Sequence, residues 1–307
     1  MRHGDRSYGV ARIALLVGIV LALLPGAVQA AWNAGNYLKF GVGARPLSMG
    51  NAFVAIADDA TAVYWNPAGL TLTTKTRLFV SYAERFGQGV IDQNAGVAFH
   101  WRKRQYLGFA VSMSSVGGIK SSIERDGNGR PIVSGTFDDN EVVMMGSFGY
   151  EFSDLVSFGV TGKYFTHELN GKTASGVGAD IGFLVRPLPL LTLGLNAQNI
   201  NRPRMKWQTE TDHFDRVPAN YKLGGAYFVV PDKLRVSADI NVPDSDDMEM
   251  DFGAEYTMNE FFSMRGGIAG SDLGTGASVG WQHVRLDYAF RTHDIGDTHR
   301  FALHYEF

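Results

Sequence analysis

The chain has 307 residues, of which 28 are basic, 31 acidic and none cysteine. The absence of cysteine excludes disulfides, thiolate metal sites and a cysteine nucleophile. The net charge of −3 argues against nucleic-acid binding, which needs a basic patch. The 37 glycines, 20 phenylalanines and 12 tyrosines exceed what a helical protein would use, and favour β-structure.

The N-terminus has the pattern of a targeting segment. Three arginines precede an apolar run at residues 13–24, and small residues precede Ala31. The apolar run is too short to span a bilayer, so it predicts a secretory signal peptide over residues 1–30 rather than an uncleaved anchor. Without these residues, 25 basic and 30 acidic side chains remain, a net charge of −5.

Residues 47–70 are rich in glycine, alanine and serine and contain no lysine or arginine. Small side chains let backbones pass close together, which suits a space enclosed by other elements. Pro67 fixes its own φ and excludes Asn66 from the α region, and we expect Gly69 to take a conformation barred to other residues. The stretch predicts a short helical segment that stops abruptly and turns, within an N-terminal plug of residues 31–76.

From residue 77 to residue 307 the chain alternates apolar and polar residues with a period of two. A helix would scatter these apolar residues around its axis, whereas a strand lines them up on one face. Fourteen such runs, from 77–86 to 299–307, have about the length of a tilted membrane strand, and their number is even. They predict an all-β membrane protein: a 14-stranded antiparallel transmembrane barrel over residues 77–307.

The links between the predicted strands differ in length according to whether they follow an odd-numbered or an even-numbered strand. Links after odd-numbered strands, such as 115–140 and 201–218, are longer than links after even-numbered strands, such as Arg102-Lys103. Outer-membrane barrels have short periplasmic turns and longer external loops. The pattern predicts the outer membrane of a Gram-negative bacterium, with both termini in the periplasm.

The two faces of the predicted wall differ. Aromatic residues such as Trp101, Trp281 and Tyr305 concentrate at strand ends on the apolar face, as interface girdles do. The other face carries mixed charges that can pair across strands, and its small residues leave room for a plug rather than an open pore. The lumen-facing candidates are Lys163, Asp180, Arg235, Asp239, Asp251, Glu255, Arg265, Arg285 and Asp287.

One run resembles a known family. Residues 50–70 read Gly-Asn-Ala-Phe-Val-Ala-Ile-Ala-Asp-Asp-Ala-Thr-Ala-Val-Tyr-Trp-Asn-Pro-Ala-Gly-Leu, similar to the N-terminal signature of the PorV/PorQ family. Those bacterial outer-membrane proteins are related to FadL-type transporters of hydrophobic compounds. The resemblance implies contact with outer-membrane lipid and with the barrel-assembly machinery. The alternating C-terminus, with Tyr305 and Phe307, resembles the signal by which such barrels are recognised for assembly.

The plug holds the first candidate functional residues, namely Asp58, Asp59, Tyr64, Trp65, Asn66, Pro67 and Gly69. Asn66 and Pro67 form either a hinge that opens the plug or a fixed helix stop. Asp58 and Asp59 either latch the plug to lumen arginines or serve as helix caps or a solvated pair. No histidine or further carboxylate accompanies them at ligand spacing, so we predict neither a metal site nor a cofactor.

Two long links are candidates for external lids. The turn-rich stretch 125–131 lacks the final acidic ligand of a calcium loop, so we interpret link 115–140 as an external β-hairpin or lid. Link 201–218 would form a second lid, with exposed Trp207 and Phe214 for capturing a greasy ligand or with these residues packed against the first lid. The acidic run 244–247 predicts a solvated external loop.

No catalytic motif is present, neither a nucleophile elbow nor a zinc-protease helix, so we predict that the chain is not an enzyme. The family resemblance favours assistance in the export or surface handling of secreted protein cargo. The alternative is a FadL-like uptake channel for small hydrophobic compounds such as fatty acids. A purely structural barrel is the third hypothesis.

Overall fold

The predicted 14-stranded antiparallel barrel is confirmed. The computed structural model describes residues 34–210 and 213–307, so the predicted signal peptide lies outside the described residues. Fourteen wall strands close on themselves because the first pairs with both the second and the last. The strands of the described residues are β1 Arg77–Arg85, β2 Val90–Arg102, β3 Gln105–Ser121, β4 Glu124–Arg125, β5 Pro131–Ile132, β6 Gly135–Ser153, β7 Val156–Leu169, β8 Lys172–Leu188, β9 Leu191–Gln198, β10 Arg204–Trp207, β11 Phe214–Arg216, β12 Asn220–Val230, β13 Leu234–Pro243, β14 Glu249–Thr257, β15 Phe262–Ala269, β16 Asp272–Trp281, β17 Val284–Arg291 and β18 Thr298–Glu306.

The four short strands lie outside the wall ladder. Strands β4 and β5 form the hairpin predicted within link 115–140, and β10 and β11 form a second hairpin that pairs with the outer part of β8. We call residues 199–219, which contain β10 and β11, the cap hairpin. No helix among the described residues is long and apolar enough to cross a membrane.

The prediction that every odd-to-even link is longer than every even-to-odd link is wrong. Asn170-Gly171 and Gly270-Ser271 are two-residue turns, because β7, β8, β15 and β16 continue further than the sequence pattern indicated. Asn170 and Gly171 both have positive φ, 50° and 71°, as a tight type I′ hairpin turn requires. The Asn-Gly pair, a typical hairpin-turn sequence, lies inside what the alternation pattern predicts to be a longer loop.

The wall has an apolar outer face, as the period-two pattern predicted. Val80, Phe109 and Met144 are more than half exposed on it. Aromatic side chains exposed near the strand ends include Tyr82, Trp101, Phe152, Tyr227, Tyr256, Trp281, Tyr305 and Phe307. Such a surface suits the hydrocarbon layer of a membrane, with aromatic rings at its two boundaries.

Residues 34–76, which we call the lumen segment, lie inside the barrel. Its helical turns are Asn36–Phe40, Ala44–Ser48, Ala62–Trp65 and Pro67–Leu72. The predicted short helical segment is present as separate turns, because Gly50 and Asn51 adopt positive φ of 60° and 64° and interrupt the helical conformation. Asn66 is extended, as a residue before proline should be.

Gly69 corrects another expectation. It is absent from the glycines with positive φ, so it takes an ordinary conformation. Glycine is needed at this position because a side chain would not fit: a Cβ there would lie 2.0 Å from the carbonyl oxygen of Ala57. The glycine lets two passes of the lumen segment touch.

Inward-facing glycines form rows across neighbouring wall strands. One row joins Gly149, Gly159 and Gly182 on β6, β7 and β8. A Cβ on Gly159 would lie 2.3 Å from the carbonyl carbon of Pro67, and one on Gly182 would lie 2.1 Å from Asn66 Oδ1. The wall therefore has a side-chain-free niche in which the backbone of the lumen segment rests.

A second row of glycines holds another part of the segment. Gly253, Gly267 and Gly274 are paired neighbours on β14, β15 and β16. A Cβ on Gly267 would lie 2.2 Å from the carbonyl carbon of Met49. Because Gly159, Gly253, Gly267 and Gly274 lie closest to backbone atoms, which cannot move aside as a flexible side chain can, the fit between wall and lumen segment depends on glycine at these positions.

Candidate functional site

A buried cluster of ion pairs joins the lumen segment to the wall. Arg45 of the segment donates two hydrogen bonds to Glu255 of β14, from Nε to Oε2 at 2.7 Å and from Nη2 to Oε1 at 2.9 Å. Arg45 also pairs with Asp58 and Asp59. Two parallel hydrogen bonds between a guanidinium and a carboxylate are a strong and directional contact. We call these residues, together with Arg235 and Arg265, the ion-pair cluster.

The wall arginines complete the ion-pair cluster. Arg235 Nη1 lies 3.1 Å from Asp58 Oδ2, and its Nη2 lies 2.7 Å from Glu255 Oε1. Arg265 Nε lies 2.6 Å from Glu255 Oε2. Glu255 thus receives hydrogen bonds from three guanidinium groups, so its charge balances arginines from both the wall and the lumen segment.

Asp58 is ionised in this environment. Burial alone would raise the pKa of the Asp58 carboxyl, but the guanidinium groups of Arg45 and Arg235 outweigh it and hold that pKa well below its usual range. Asp59 caps a turn, since its Oδ1 accepts the backbone N–H of Thr61 at 2.8 Å. The structure places both carboxylates within reach of arginine, and their role as a latch stays a prediction.

The other predicted plug residues are held by hydrogen bonds. Trp65 Nε1 donates to the carbonyl of Val42, and Tyr64 donates its hydroxyl to the carbonyl of Leu38. The Asn66 amide donates to the carbonyls of Val54 and Phe183 and accepts from Ala68 N. Asn66 and Pro67 therefore end the helical turn Ala62–Trp65, and the hydrogen bonds of Asn66 hold this break in place.

The predicted lumen-facing residues all lie on the inner side of the wall. Lys163 and Asp180 form a buried pair at 2.7 Å, and Asp287 lies 3.7 Å from Arg265. Asp239 accepts the backbone N–H groups of Phe53 and Val54 of the lumen segment. Arg285 stands apart: it lines a cavity at one end of the barrel and is more exposed than the others.

That cavity, of about 420 Å³, opens at the end where the short turns and the C-terminus lie. Arg45, Asp59, Arg285 and His304 line it, together with Trp281 and Tyr305. We call it the short-turn cavity. Two members of the ion-pair cluster, Arg45 and Asp59, thus form part of its wall.

A second cavity, of about 380 Å³, lies at the opposite end. The lumen segment contributes Asn51 and Tyr64 to its floor, and the wall contributes Lys222, Asn241 and Asp251. We call it the long-loop cavity. The layer between Arg45 and Tyr64 separates it from the short-turn cavity.

The cap hairpin closes part of the long-loop end and corrects a prediction. Met205 and Val217 are buried against the lumen segment rather than exposed. Trp207 is partly buried and donates from Nε1 to Asp215 at 2.6 Å. On link 201–218, Met205 and Trp207 therefore pack on the core rather than form an exposed apolar surface, whereas Phe214 is half-buried beside Arg204 and Lys206.

The acidic run 244–247 is also more than a solvated loop. Asp244 pairs with Arg202 of the cap hairpin at 2.6 Å, and Asp246 pairs with Lys39 of the lumen segment. Both partners are far away in sequence, so the run itself gave no sign of them. The loop ties the cap hairpin and the lumen segment to the rim.

Sequence reasoning missed one group of potential metal ligands. Asp139 and Glu141 on β6 lie beside His167 on β7, and His167 Nε2 is 2.7 Å from Asp139 Oδ1. Strand register brings them together, since Glu141 is opposite His167. The spacing along either strand alone did not indicate this group.

No protein-family model matches the chain, and no curated protein matches it. Solved structures do match. TodX, the toluene transporter of Pseudomonas putida, is 13% identical with a TM-score of 0.63, over 90% of this chain and 98% of TodX. CymD, a monoaromatic hydrocarbon channel, is 13% identical with a TM-score of 0.62, over 89% and 99%. A FadL homologue of Pseudomonas aeruginosa is 11% identical with a TM-score of 0.61, over 92% and 99%.

The chain has the fold of FadL-type outer-membrane barrels. At these identities the likeness concerns the fold alone. The FadL-type barrel implied by the N-terminal signature is therefore found, while membership of the PorV/PorQ family stays a prediction. The same holds for the C-terminal assembly signal, although Tyr305 and Phe307 do point outward.

Proposed function

We propose that the chain is an outer-membrane channel that passes small molecules, with residues 31–76 as its plug. One observation carries the proposal: two cavities enter the barrel from opposite ends, and a layer of the lumen segment lies between them. The apolar outer face and the FadL-type fold support a location in the outer membrane. Passage requires that this layer moves, because its side chains fill the lumen between the cavities.

The side chains that line the two cavities influence which class of molecule can pass. Both cavities are lined by charged and amide side chains together with aromatic and aliphatic ones, and Trp207 of the cap hairpin is partly buried. The buried charges in these walls favour polar solutes over hydrocarbons such as those that TodX and CymD carry. The fold alone leaves room for either class.

The cargo-handling role implied by the PorV/PorQ resemblance stays a separate prediction. It would need external loops free to bind a protein. The rim loop 244–247 and the cap hairpin instead make ion pairs within the chain. These contacts favour the channel proposal.

The test measures entry of labelled L-serine and arabinose into vesicles that contain the purified barrel, and uptake of toluene by cells that produce it. We expect entry of at least one of these solutes above the rate of protein-free vesicles or control cells. A large dextran is the control, since its entry would indicate leaky vesicles. No entry of any of the three would contradict the channel proposal and favour cargo handling or a structural role.

A further inference from the structure

The floor of the long-loop cavity contains a buried lysine that contacts no carboxylate directly. Lys222 is 7% exposed, and among the described residues its ammonium group makes no ion pair, although Asp251, Asp239 and Glu249 lie near enough to act on its charge. It lies over the ring of Trp65, 4.7 Å from the ring centre. A buried ammonium group is costly unless a charge or hydrogen-bond acceptor meets it, so this side chain is placed to receive an anionic group.

Unsatisfied acceptors surround the same space. Asn51, Asn241 and Asp251 are each more than nine-tenths buried and line the cavity. In each, the Oδ1 atom has no hydrogen-bond partner among the described residues. Buried polar atoms are almost always hydrogen-bonded in folded proteins, so a solute with donor groups in this cavity would satisfy acceptors that the described residues leave without partners.

The backbone holds these groups in place. Lys222 and Asn241 are directly opposite on β12 and β13, and Asn241 is opposite Glu249, two residues from Asp251, on β14. The Asn241 amide donates to Asp251 Oδ2, which leaves Oδ1 of both residues free. Asn51 approaches from the lumen segment in a positive-φ turn at 64°. The site is therefore assembled from both the wall and the plug.

We propose that the long-loop cavity binds a small polar solute that carries a carboxylate and hydrogen-bond donors, such as an amino acid. Lys222 holds the carboxylate, while the oxygens of Asn51, Asn241 and Asp251 accept from the solute's ammonium or hydroxyl groups. The cavity volume of about 380 Å³ admits such a molecule. Because Asn51 belongs to the lumen segment, a bound solute touches the layer that separates the two cavities.

The inference deepens the channel proposal by naming its solute class, but the test measures binding in detergent and needs no transport. Calorimetric titration uses three probes. These are L-serine, propionate, which lacks the hydrogen-bond donors, and ethanolamine, which lacks the carboxylate. We expect serine to bind most tightly of the three. No serine binding, or equal binding of all three probes, would overturn the site even if solutes cross the barrel.

A substitution of Lys222 tests whether its ammonium group holds the carboxylate of the solute. Lys222→Met keeps the stack on Trp65 but removes the charge, and we expect it to weaken serine and propionate binding about tenfold or more. Lys75→Met is the matched control, since Lys75 lies outside this cavity and is paired with Glu306 at the other end of the barrel; it should change binding little. Full affinity in a folded Lys222→Met barrel would overturn the proposal.

A second variant keeps the proposal testable if Lys222→Met does not fold. Asn51→Gly accommodates the positive φ and removes the side-chain amide together with its acceptor oxygen. It should weaken serine binding several-fold and leave propionate binding unchanged. Unchanged serine binding in this variant would contradict the role of the lumen segment in the site.

Discussion

At the residue scale, the ion-pair cluster is the main electrostatic link between plug and wall. Its members are arranged so that each carboxylate meets at least one guanidinium, and Glu255 meets three. Burying such charges is costly, and removing one partner costs more than the pair contributes, because the others are left uncompensated. The cluster therefore holds the plug in one position more than it stabilises the barrel.

The depressed pKa of Asp58 gives a pH prediction. A carboxyl with a lowered folded-state pKa contributes stability above its unfolded value, about 3.9, and that contribution is lost as the pH falls through the folded pKa. We expect Asp58→Asn to melt below the wild type at pH 7. The difference should persist at pH 5 and shrink below about pH 4.

Melting temperatures of both proteins across this pH range check the expectation. Other carboxyls titrate in both proteins, so the difference isolates Asp58. A difference that is as large at pH 3 as at pH 7 would show that the charge of Asp58 is not what matters.

At the element scale, glycine rows rather than side-chain pockets position the lumen segment. The segment runs along Gly149, Gly159 and Gly182 on one part of the wall and along Gly253 and its neighbours on another. Close backbone approach at both places leaves the segment no room to slide without breaking contact. The fit explains why the wall is rich in glycine on its inner face.

Two glycines on the same strand, β7, test whether the glycine rows position the lumen segment. We expect Gly159→Val to displace the segment and destabilise the barrel by about 1–3 kcal/mol or more, since overpacking forces backbone shifts. Gly162→Val is the control, because the nearest atom to a Cβ there is 4.0 Å away and the position faces outward. Chymotrypsin cleavage after Phe53 or Trp65, both buried in the wild type, reports the displacement. Equal protection in the two variants would contradict this account of the rows.

Much of the wall could be predicted from the sequence, because period-two alternation is a local signal. Every predicted run corresponds to one wall strand. The glycine rows, by contrast, depend on register between strands: Gly149, Gly159 and Gly182 are spaced unevenly in sequence but adjacent in the sheet. The long-loop cavity was missed for the same reason, since Lys222, Asn241 and Asn51 show no shared pattern along the chain.

At the scale of the whole molecule, the barrel is a wall with a filled lumen and a cavity at each end. The lumen segment touches both cavities, with Arg45 and Asp59 facing one and Asn51 and Tyr64 facing the other. A solute that reaches either cavity therefore meets the segment before it meets the far side. This geometry makes the attachment of the segment the step that decides passage.

The most direct test neutralises Glu255. Glu255→Gln keeps the shape of the side chain but leaves the guanidinium groups of Arg45, Arg235 and Arg265 without their shared counter-charge, at a cost of about 3–5 kcal/mol to the closed arrangement. Glu306→Gln is the control, since Glu306 pairs with Lys75 and Arg77 at the exposed strand end. The measurement is ion conductance and serine entry for the two variants and the wild type in planar bilayers and vesicles. We predict at least a tenfold rise for Glu255→Gln and no change for Glu306→Gln. Equal, wild-type values for a folded Glu255→Gln barrel would contradict a channel that opens by release of its lumen segment.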